Sequence, residues 1–361
     1  MLERFFVPPA DAIRVTEAAL RRTVSDVFVA CDVPPEDAAS GADVLVMADL
    51  RGVESHGVNL VSLYCTRLDG GLMKPTTTIT IEKEDTSTAL IHGGLGLGQV
   101  AGMFAINMGV RKAKEHGVAA IGVRESTHLG ALAYYTARAA EQGCIAIAVQ
   151  NGPSMIPPYG GLTGVFSTNP FSFAAPANKE RTVVLDMATT AVAGNKIILY
   201  RKKNQPIPDG WATDERGKPT NDPHVASLEH LQWFGGYKGF GIAMMVEIMS
   251  GCLMNASFGH TELTEGIGHG KARVAKGYLF IVLDIARFVP LELFKGYMDT
   301  LINDVRSGER AEGVDRIYVP GEIEHLRMDE RLRDGIPLDS AVVDELEKLG
   351  AEVGLGSLID R

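Results

Sequence analysis

Apolar positions in the first seventy residues recur with a helical period. Between residues 10 and 30, Ile13, Val15, Ala18, Leu20, Val24, Val27 and Phe28 fall close to one face of a 3.6-residue repeat. Val33-Pro34-Pro35 interrupts that pattern, and Pro35-Glu36-Asp37 opens a second predicted helix, with proline and acids in its first turn, that runs to about Leu50. A third segment, from Ser55 or Gly57 to Asp69, stops at Gly70-Gly71.

From Thr76 the pattern changes. Residues 77–81 alternate and are β-branched, which predicts a strand, and Ser87 to His92 predicts a second. Helical stretches at Gln99–His116 and Leu129–Gln142 alternate with apolar runs at Val118–Val123 and Ile145–Val149, the signature of α/β layers. Further strands are expected at Ser172–Ala175, Thr182–Asp186 and Gly277–Asp284, and a buried helix at Gly239–Asn255. Residues 201–230 are polar and read as a long excursion, and the tail returns to helices at Leu291–Ser307, His325–Arg333 and Leu338–Leu349. The expected organisation is a helical module at 1–75, an α/β domain at 76–289, and a helical segment at 290–361 packing back on the first module. A length of 361 residues suits about two domains.

Composition narrows the function classes. The chain carries 35 Lys plus Arg against 45 Asp plus Glu, a net charge of −10, so it lacks the basic footprint of a nucleic-acid or anionic-membrane binder. Cys31, Cys65, Cys144 and Cys252 show neither zinc nor disulfide spacing, so no metal is expected. The opening MLERFFVPPADAIRV lacks a basic stretch followed by an apolar one, and no window is long and apolar enough to span a bilayer. A reduced, cytoplasmic protein is expected. Forty glycines exceed the roughly 25 that average usage would give, a surplus that points to backbone approaching something closely.

The densest glycine run, Gly93-Gly94-Leu95-Gly96-Leu97-Gly98, follows a strand and opens a helix. Gly96, Gly98 and Ala101 satisfy a loose dinucleotide fingerprint, but that motif also needs an acid about 20 residues on, at the end of the next strand. Glu115 comes before that strand and Glu125 too far on, so a turn packing a helix against a sheet is the preferred reading. Polar and glycine-rich segments elsewhere sit at the ends of predicted elements: ADLRGVESHG at 48–57, STHLG at 126–130, QNGPSMIPPYGG at 150–161, STNPFSFAAP at 167–176, VLDMATTAVAGNK at 184–196, IPDGWATDERGKPTNDP at 207–223, GGYKGFG at 235–241 and RIYVPGE at 316–322.

These motifs span nearly the whole chain, and together they resemble the type 2 malate/L-lactate dehydrogenase family, which also holds ureidoglycolate, sulfolactate and diketogulonate dehydrogenases and an imino-acid reductase. The resemblance implies a non-Rossmann mixed sheet flanked by helices, a homodimer, and hydride transfer between NAD or NADP and a 2-hydroxy or 2-oxo acid. Alternatives are reduction of a cyclic imino acid by the same cofactor, and a nucleotide-binding dimer without turnover.

Reduction of a 2-oxo carbon builds charge on its oxygen and needs a proton donor, and the reverse reaction needs a base, a pair of tasks suited to histidine. The resemblance makes His56 the first candidate and His128 the second. The remaining histidines, among them His224, His230, His260, His269 and His325, read as surface or loop residues. Asp186 is expected either to orient a histidine or to bind cofactor, against the plainer role of capping the helix after it. Cofactor contacts are expected from Asn151, Gly152, Thr168, Asn169, Asp186, Met187, Ala188, Tyr237 and Lys238, with Gly313, Val314 and Asp315 in the tail. Lys238 at a glycine-flanked helix start suits phosphate. Ser55 and Arg51 are the substrate candidates. Many relatives read Ser-His-Gly-x-x-Arg, but Leu60 stands at the arginine position here. Either Arg51 or Arg67 substitutes in holding a carboxylate, or the substrate differs from simple malate or lactate.

Overall fold

The computed structural model describes residues 12–202, 204–263, 274–354 and 357. His269, and residues 10 and 11 of the first predicted helix, lie outside them. The described residues open not with one helix but with a strand, β1 (Ala12–Val15), followed by α1 (Glu17–Ala30). Thr16 separates them, its hydroxyl accepting the Ala19 amide at 3.3 Å as an N-terminal cap. Then come α2 (Pro35–Leu50), 3₁₀ turns at Glu54–His56 and Val58–Leu60, and α3 (Val61–Asp69).

The α/β part follows in the order β2 (Thr80–Glu84), β3 (Thr88–His92), α4 (Gly98–His116), β4 (Val118–Ser126), α5 (Ala133–Glu141), β5 (Cys144–Gln150), β6 (Phe171–Ala175) and β7 (Val183–Met187). Next are α6 (Gly194–Lys202), a short β8–β9 pair (Ala212–Thr213, Pro219–Thr220), α7 (Tyr237–Glu247) with a π turn at Ile248–Cys252, and β10 (Lys276–Asp284). The chain closes with α8 (Leu291–Ser307), α9 (Glu322–Asp334), β11 (Ile336–Asp339) and α10 (Ser340–Glu352). The last predicted helix, from Leu338, therefore starts two residues late, because Leu338 belongs to β11 and pairs with Ile13 of β1.

Seven strands form one mixed sheet in the order β2-β3-β4-β10-β5-β6-β7, so the fold is α/β without a doubly wound parallel sheet. Only β3 and β4 pair in parallel; the other pairings are antiparallel. That alternation points β3, β4, β5 and β7 the same way, so the segments after β4, β5 and β7 emerge on one edge of the sheet. The faces follow from side-chain alternation along β10: Tyr278, Phe280 and Val282 join the core under α4 and α5, whereas Leu279 and Ile281 pack on the opposite side with Val246 of α7.

A separate apolar core holds α1, α2, α3 and α10 with Val15, Ile336 and Leu338 of the β1–β11 pair. The polar excursion carries a core of its own, in which Ile207, Ala212 and Leu231 pack with Phe166 and Trp233. The helix expected to be buried, α7, is buried on one side only: Met244, Met245, Ile248 and Leu253 are exposed. The strand expected at 77–81 begins at Thr80, because Thr77 is held elsewhere. Its amide donates to Asp37 at 3.2 Å and its hydroxyl accepts the Leu97 amide at 3.1 Å. The helix expected from Leu129 starts at Ala133, after a turn in which Gly130 takes φ +78°.

Candidate active site

The glycine run before α4 faces the protein interior. A Cβ on Gly93 would meet Ser126 Cβ at 2.6 Å, and one on Gly98 would meet the carbonyl oxygens of Thr127 and His128 at 2.5 and 2.6 Å. Thr127 closes this contact from its side, accepting the Gly98 amide at 2.9 Å and donating to the Gly96 carbonyl at 2.8 Å. The glycines let α4 press against the segment that carries His128, and they are filled by protein rather than by a phosphate.

That segment joins a cavity of about 770 Å³ between the helical core and the β7 end of the sheet. Its polar wall includes Asp49, Arg51, Glu54, Ser55, His56 and Asn59 from α2 and the turns after it, with Asp186 of β7, Lys196 of α6 and Glu324 of α9. The lining also includes apolar Met187, Ala188, Val192, Phe234, Leu338 and Val342. A cavity of this size with a polar and apolar lining suits a small-molecule ligand.

His56 sits in the first 3₁₀ turn, its Nδ1 2.9 Å from the Ser55 hydroxyl. Its ring centroid lies 5.4 Å from that of His128, and burial lowers the pKa of His56 from the ordinary value. His128 is lowered further, first by burial and then by the positive charges of His56, Lys276 and Arg67. Its Nδ1 is 2.8 Å from the hydroxyl of Tyr64 on α3. Two imidazoles this close are poorly placed to be charged together, so the pair holds at most one extra proton near neutrality.

Asp186 is open to the cavity but walled by protein, and burial raises its carboxyl to about 6. Its Oδ2 accepts the Ala133 amide at 2.7 Å, so it caps α5 rather than the helix that follows it in sequence. The charge of Arg51 pulls the other way, favouring the carboxylate, and Arg51 itself is buried, its charge favoured by those of Glu324 and Asp186. Behind the His56 turn lies Asp49, 2 % exposed, whose carboxyl accepts the Val58 amide at 2.7 Å. Burial pushes Asp49 up to about 8. The Asp49 carboxyl occupies the space where Gly57 would carry a Cβ, and Arg331 donates both to the Asp49 carbonyl and to Glu54.

The other predicted residues divide. Thr168, Met187 and Ala188 line the cavity with His56, Ser55, Arg51 and Asp186. Asn151 and Asn169 are fully buried, and their amides are engaged inside the protein. Asn151 Nδ2 donates to the Ser257 carbonyl at 2.8 Å and Asn169 Nδ2 to Glu247 at 2.7 Å, while Asn151 Oδ1 accepts the Gly277 amide at 3.0 Å. Gly152 is closed against Ser167. Tyr237 and Lys238 are exposed on the first turn of α7, and Gly313, Val314 and Asp315 are exposed in the tail; none of the five lines the cavity. Sequence reasoning passed over Asp49, Tyr64, Lys196 and Glu324. Asp49 and Lys196 lie inside the quoted motifs and Glu324 two residues beyond one of them, whereas Tyr64 lies in none. Among the described residues no cluster of metal-ligating side chains occurs, and no helix is long and apolar enough to cross a membrane.

Comparison with known proteins gives the family. Residues 15–347 match the malate/L-lactate dehydrogenase family. The chain is 36% identical to the malate dehydrogenase of Pyrococcus abyssi, over 99% of each chain. It is 30% identical to the ureidoglycolate dehydrogenase (NAD(+)) of Escherichia coli strain K12, over 90% of this chain and 93% of the relative. Among solved structures, the sulfolactate dehydrogenase of Methanocaldococcus jannaschii superposes with a TM-score of 0.89 at 36% identity, over 96% of this chain and 99% of the other. The delta1-piperideine-2-carboxylate reductase of Pseudomonas syringae superposes with a TM-score of 0.82 at 26% identity, over 93% and 99%. The chain belongs to the malate/L-lactate dehydrogenase family, a family of hydroxy-acid dehydrogenases.

Proposed function

We propose that the protein exchanges a hydride between a nicotinamide dinucleotide, NAD or NADP, and a small 2-hydroxy or 2-oxo acid, with both held in the 770 Å³ cavity. The observation that carries this reading is the convergence of His56, Ser55, Arg51 and Asp186 on that one cavity, with His128 beside His56. The donor set fits the ligands: a buried guanidinium suits a carboxylate, and apolar lining residues suit a planar ring.

When bound, the nicotinamide supplies or accepts the hydride. The chain's residues do the rest. Arg51 and Ser55 hold the acid, with the substrate carboxylate against the Arg51 guanidinium. His56 takes the hydroxyl proton in oxidation and returns it in reduction, aided by a pKa already lowered by burial, which keeps its ring neutral and ready as a base. Asp186, ionised, favours the charge of Arg51. Thr168, Asp186, Met187 and Ala188 are the cofactor contacts this reading keeps in the cavity. Asn151, Gly152 and Asn169 support the neighbouring loops, and Tyr237, Lys238, Gly313, Val314 and Asp315 would have to reach the cofactor outside the cavity.

Reduction of a cyclic imino acid is the second reading, favoured by the similarity to the piperideine-carboxylate reductase. A homodimer is also proposed, supported by exposed Met244, Met245, Ile248 and Leu253 on and after α7, and sedimentation tests it. A panel of 2-oxo and cyclic imino acids, each with NADH and NADPH and followed at the nicotinamide absorbance, separates the two chemistries and the two cofactors. Oxidation of either cofactor by a 2-oxo acid supports the first reading. Turnover with imino acids alone supports the second, and a protein that quenches neither cofactor's fluorescence overturns both.

A further inference from the structure

Tyr64 is almost completely buried on α3, 1 % exposed, and neither the fold nor the cavity explains why its hydroxyl should be there. Its ring lies 6.4 Å from that of His128, and its Oη sits 2.8 Å from His128 Nδ1. Behind it, Gln99, fully buried on α4, donates from Nε2 to the same Oη at 3.1 Å. A tyrosine hydroxyl has one proton. With the Gln99 amide donating to its oxygen, Tyr64 has its own proton left to give, and His128 Nδ1 is the acceptor in reach.

A second donor reaches the same nitrogen independently. The backbone amide of Gly130 points at His128 Nδ1 at 3.3 Å, and a backbone N–H can only donate. The turn that brings it there favours glycine, since φ is +78° and a Cβ would meet Val44 Cγ1 at 2.8 Å. If the Gln99 amide were reversed, Tyr64 would donate to Gln99 and His128 would have to present an N–H at Nδ1. That N–H would then face the Gly130 N–H.

We propose that Tyr64 is a positioning residue: with the Gly130 amide it locks His128 in the neutral tautomer that carries its proton on Nε2, leaving His56 as the proton shuttle of the pair. Two donors aimed at Nδ1 disfavour a proton there, and so disfavour the imidazolium. The charged groups facing the ring act the same way, since His56, Lys276 and Arg67 all oppose a positive charge on it. The chain therefore divides labour between two adjacent histidines. One ring, His56, is partnered by a serine hydroxyl that can donate or accept, and can gain and lose a proton. The other is fixed as a neutral donor. The division of labour rests on the proposed hydride-transfer reading, whereas the tautomer itself does not.

The test uses the full-length protein with ¹⁵N-labelled histidines, and two-bond proton–nitrogen spectra recorded near neutral pH. The His128 signals are assigned by their loss in His128→Gln. The expected wild-type pattern is that of a neutral ring with a bare Nδ1 and a protonated Nε2. In Tyr64→Phe the pattern should move toward a mixture of tautomers, and kcat should fall about tenfold with KM changed less than about threefold. Gln99→Met, which leaves Tyr64 in place but removes its donor, should shift the pattern in the same direction by less. A wild-type ring protonated on Nδ1, or a Tyr64→Phe protein with the wild-type pattern and kcat, would overturn the proposal. Because the tautomer is read without ligand, a protein that turned over no hydroxy acid would still give a decisive spectrum.

Discussion

The carbonyl oxygen of His128 lies 2.6 Å from the point where Gly98 would carry a Cβ. The first turn of α4 thus rests directly on the backbone of a candidate active-site residue. The nearest atoms an added methyl would meet are all backbone atoms of Thr127 and His128, with no flexible side chain among them to displace. Gly98→Ala should therefore cost about 1–3 kcal/mol of stability in urea unfolding and lower turnover as the His128 segment is pushed toward the cavity. Gly241→Ala is the control, since Gly241 lies on α7 with nothing within 4 Å of an added Cβ. It should be neutral or stabilise by about 0.5–1 kcal/mol.

Replacement of His56 by asparagine keeps a polar side chain on the cavity wall but removes the base. Turnover should drop about 10²–10⁴-fold while cofactor affinity, measured by fluorescence quenching, stays within a factor of a few. A His56→Asn protein with wild-type kcat would remove His56 from the mechanism.

Acid–base behaviour follows from two groups. His56 lies below its ordinary pKa and so is neutral over the neutral range, whereas Asp186 is raised to about 6. The ionised form of Asp186 is the one whose charge favours the Arg51 guanidinium, so kcat/KM for hydroxy-acid oxidation should rise with pH up to about 6 and level off above it. Asp186→Asn should remove that inflection and lower the plateau. An unchanged profile in the variant would show that Asp186 does not control this limb.

Stability should carry the mark of Asp49. Its carboxyl is raised from 3.8 to about 8 in the folded protein, so between those values the folded chain keeps a proton that the unfolded chain has released. Its contribution to stability therefore falls as pH rises across that window, by up to about 1.4 kcal/mol per pH unit. His56 and His128 act in the opposite sense, because lowered histidine pKa values cost stability as pH falls below about 6.5. The difference between wild type and Asp49→Asn isolates the carboxyl: the variant keeps an acceptor for the Val58 amide, and its relative Tm should increase from pH 4 to pH 8. A constant difference would refute the raised carboxyl.

Much of the sheet and many of the helices were legible because their patterns are local. Val118–Val123 and Ile145–Val149 are apolar without interruption, as strands covered on both faces must be, and Leu291–Ser307 was readable to the residue. Ala12–Val15 was not. Its alternation is too short to override the helical pattern that follows, and its pairing partner, Ile336–Asp339, lies at the other end of the chain. The site divides in the same way. His56, Ser55 and Arg51 share one short motif, whereas Tyr64 enters the site region from an element with no chemical signature of its own.

The sequence by itself determined the family, the alternation of strands and helices, and the short list of histidines, because each is written in contiguous residues. Only the tertiary structure decided which residues the glycine run packs against, that Asn151 and Asn169 turn inward to Ser257 and Glu247, and that Asp186 caps α5. Those outcomes depend on which side chains meet across the β7 edge and the helical core. Burial and hydrogen-bond partners at that junction are set by distant segments, and local pattern carries no record of them.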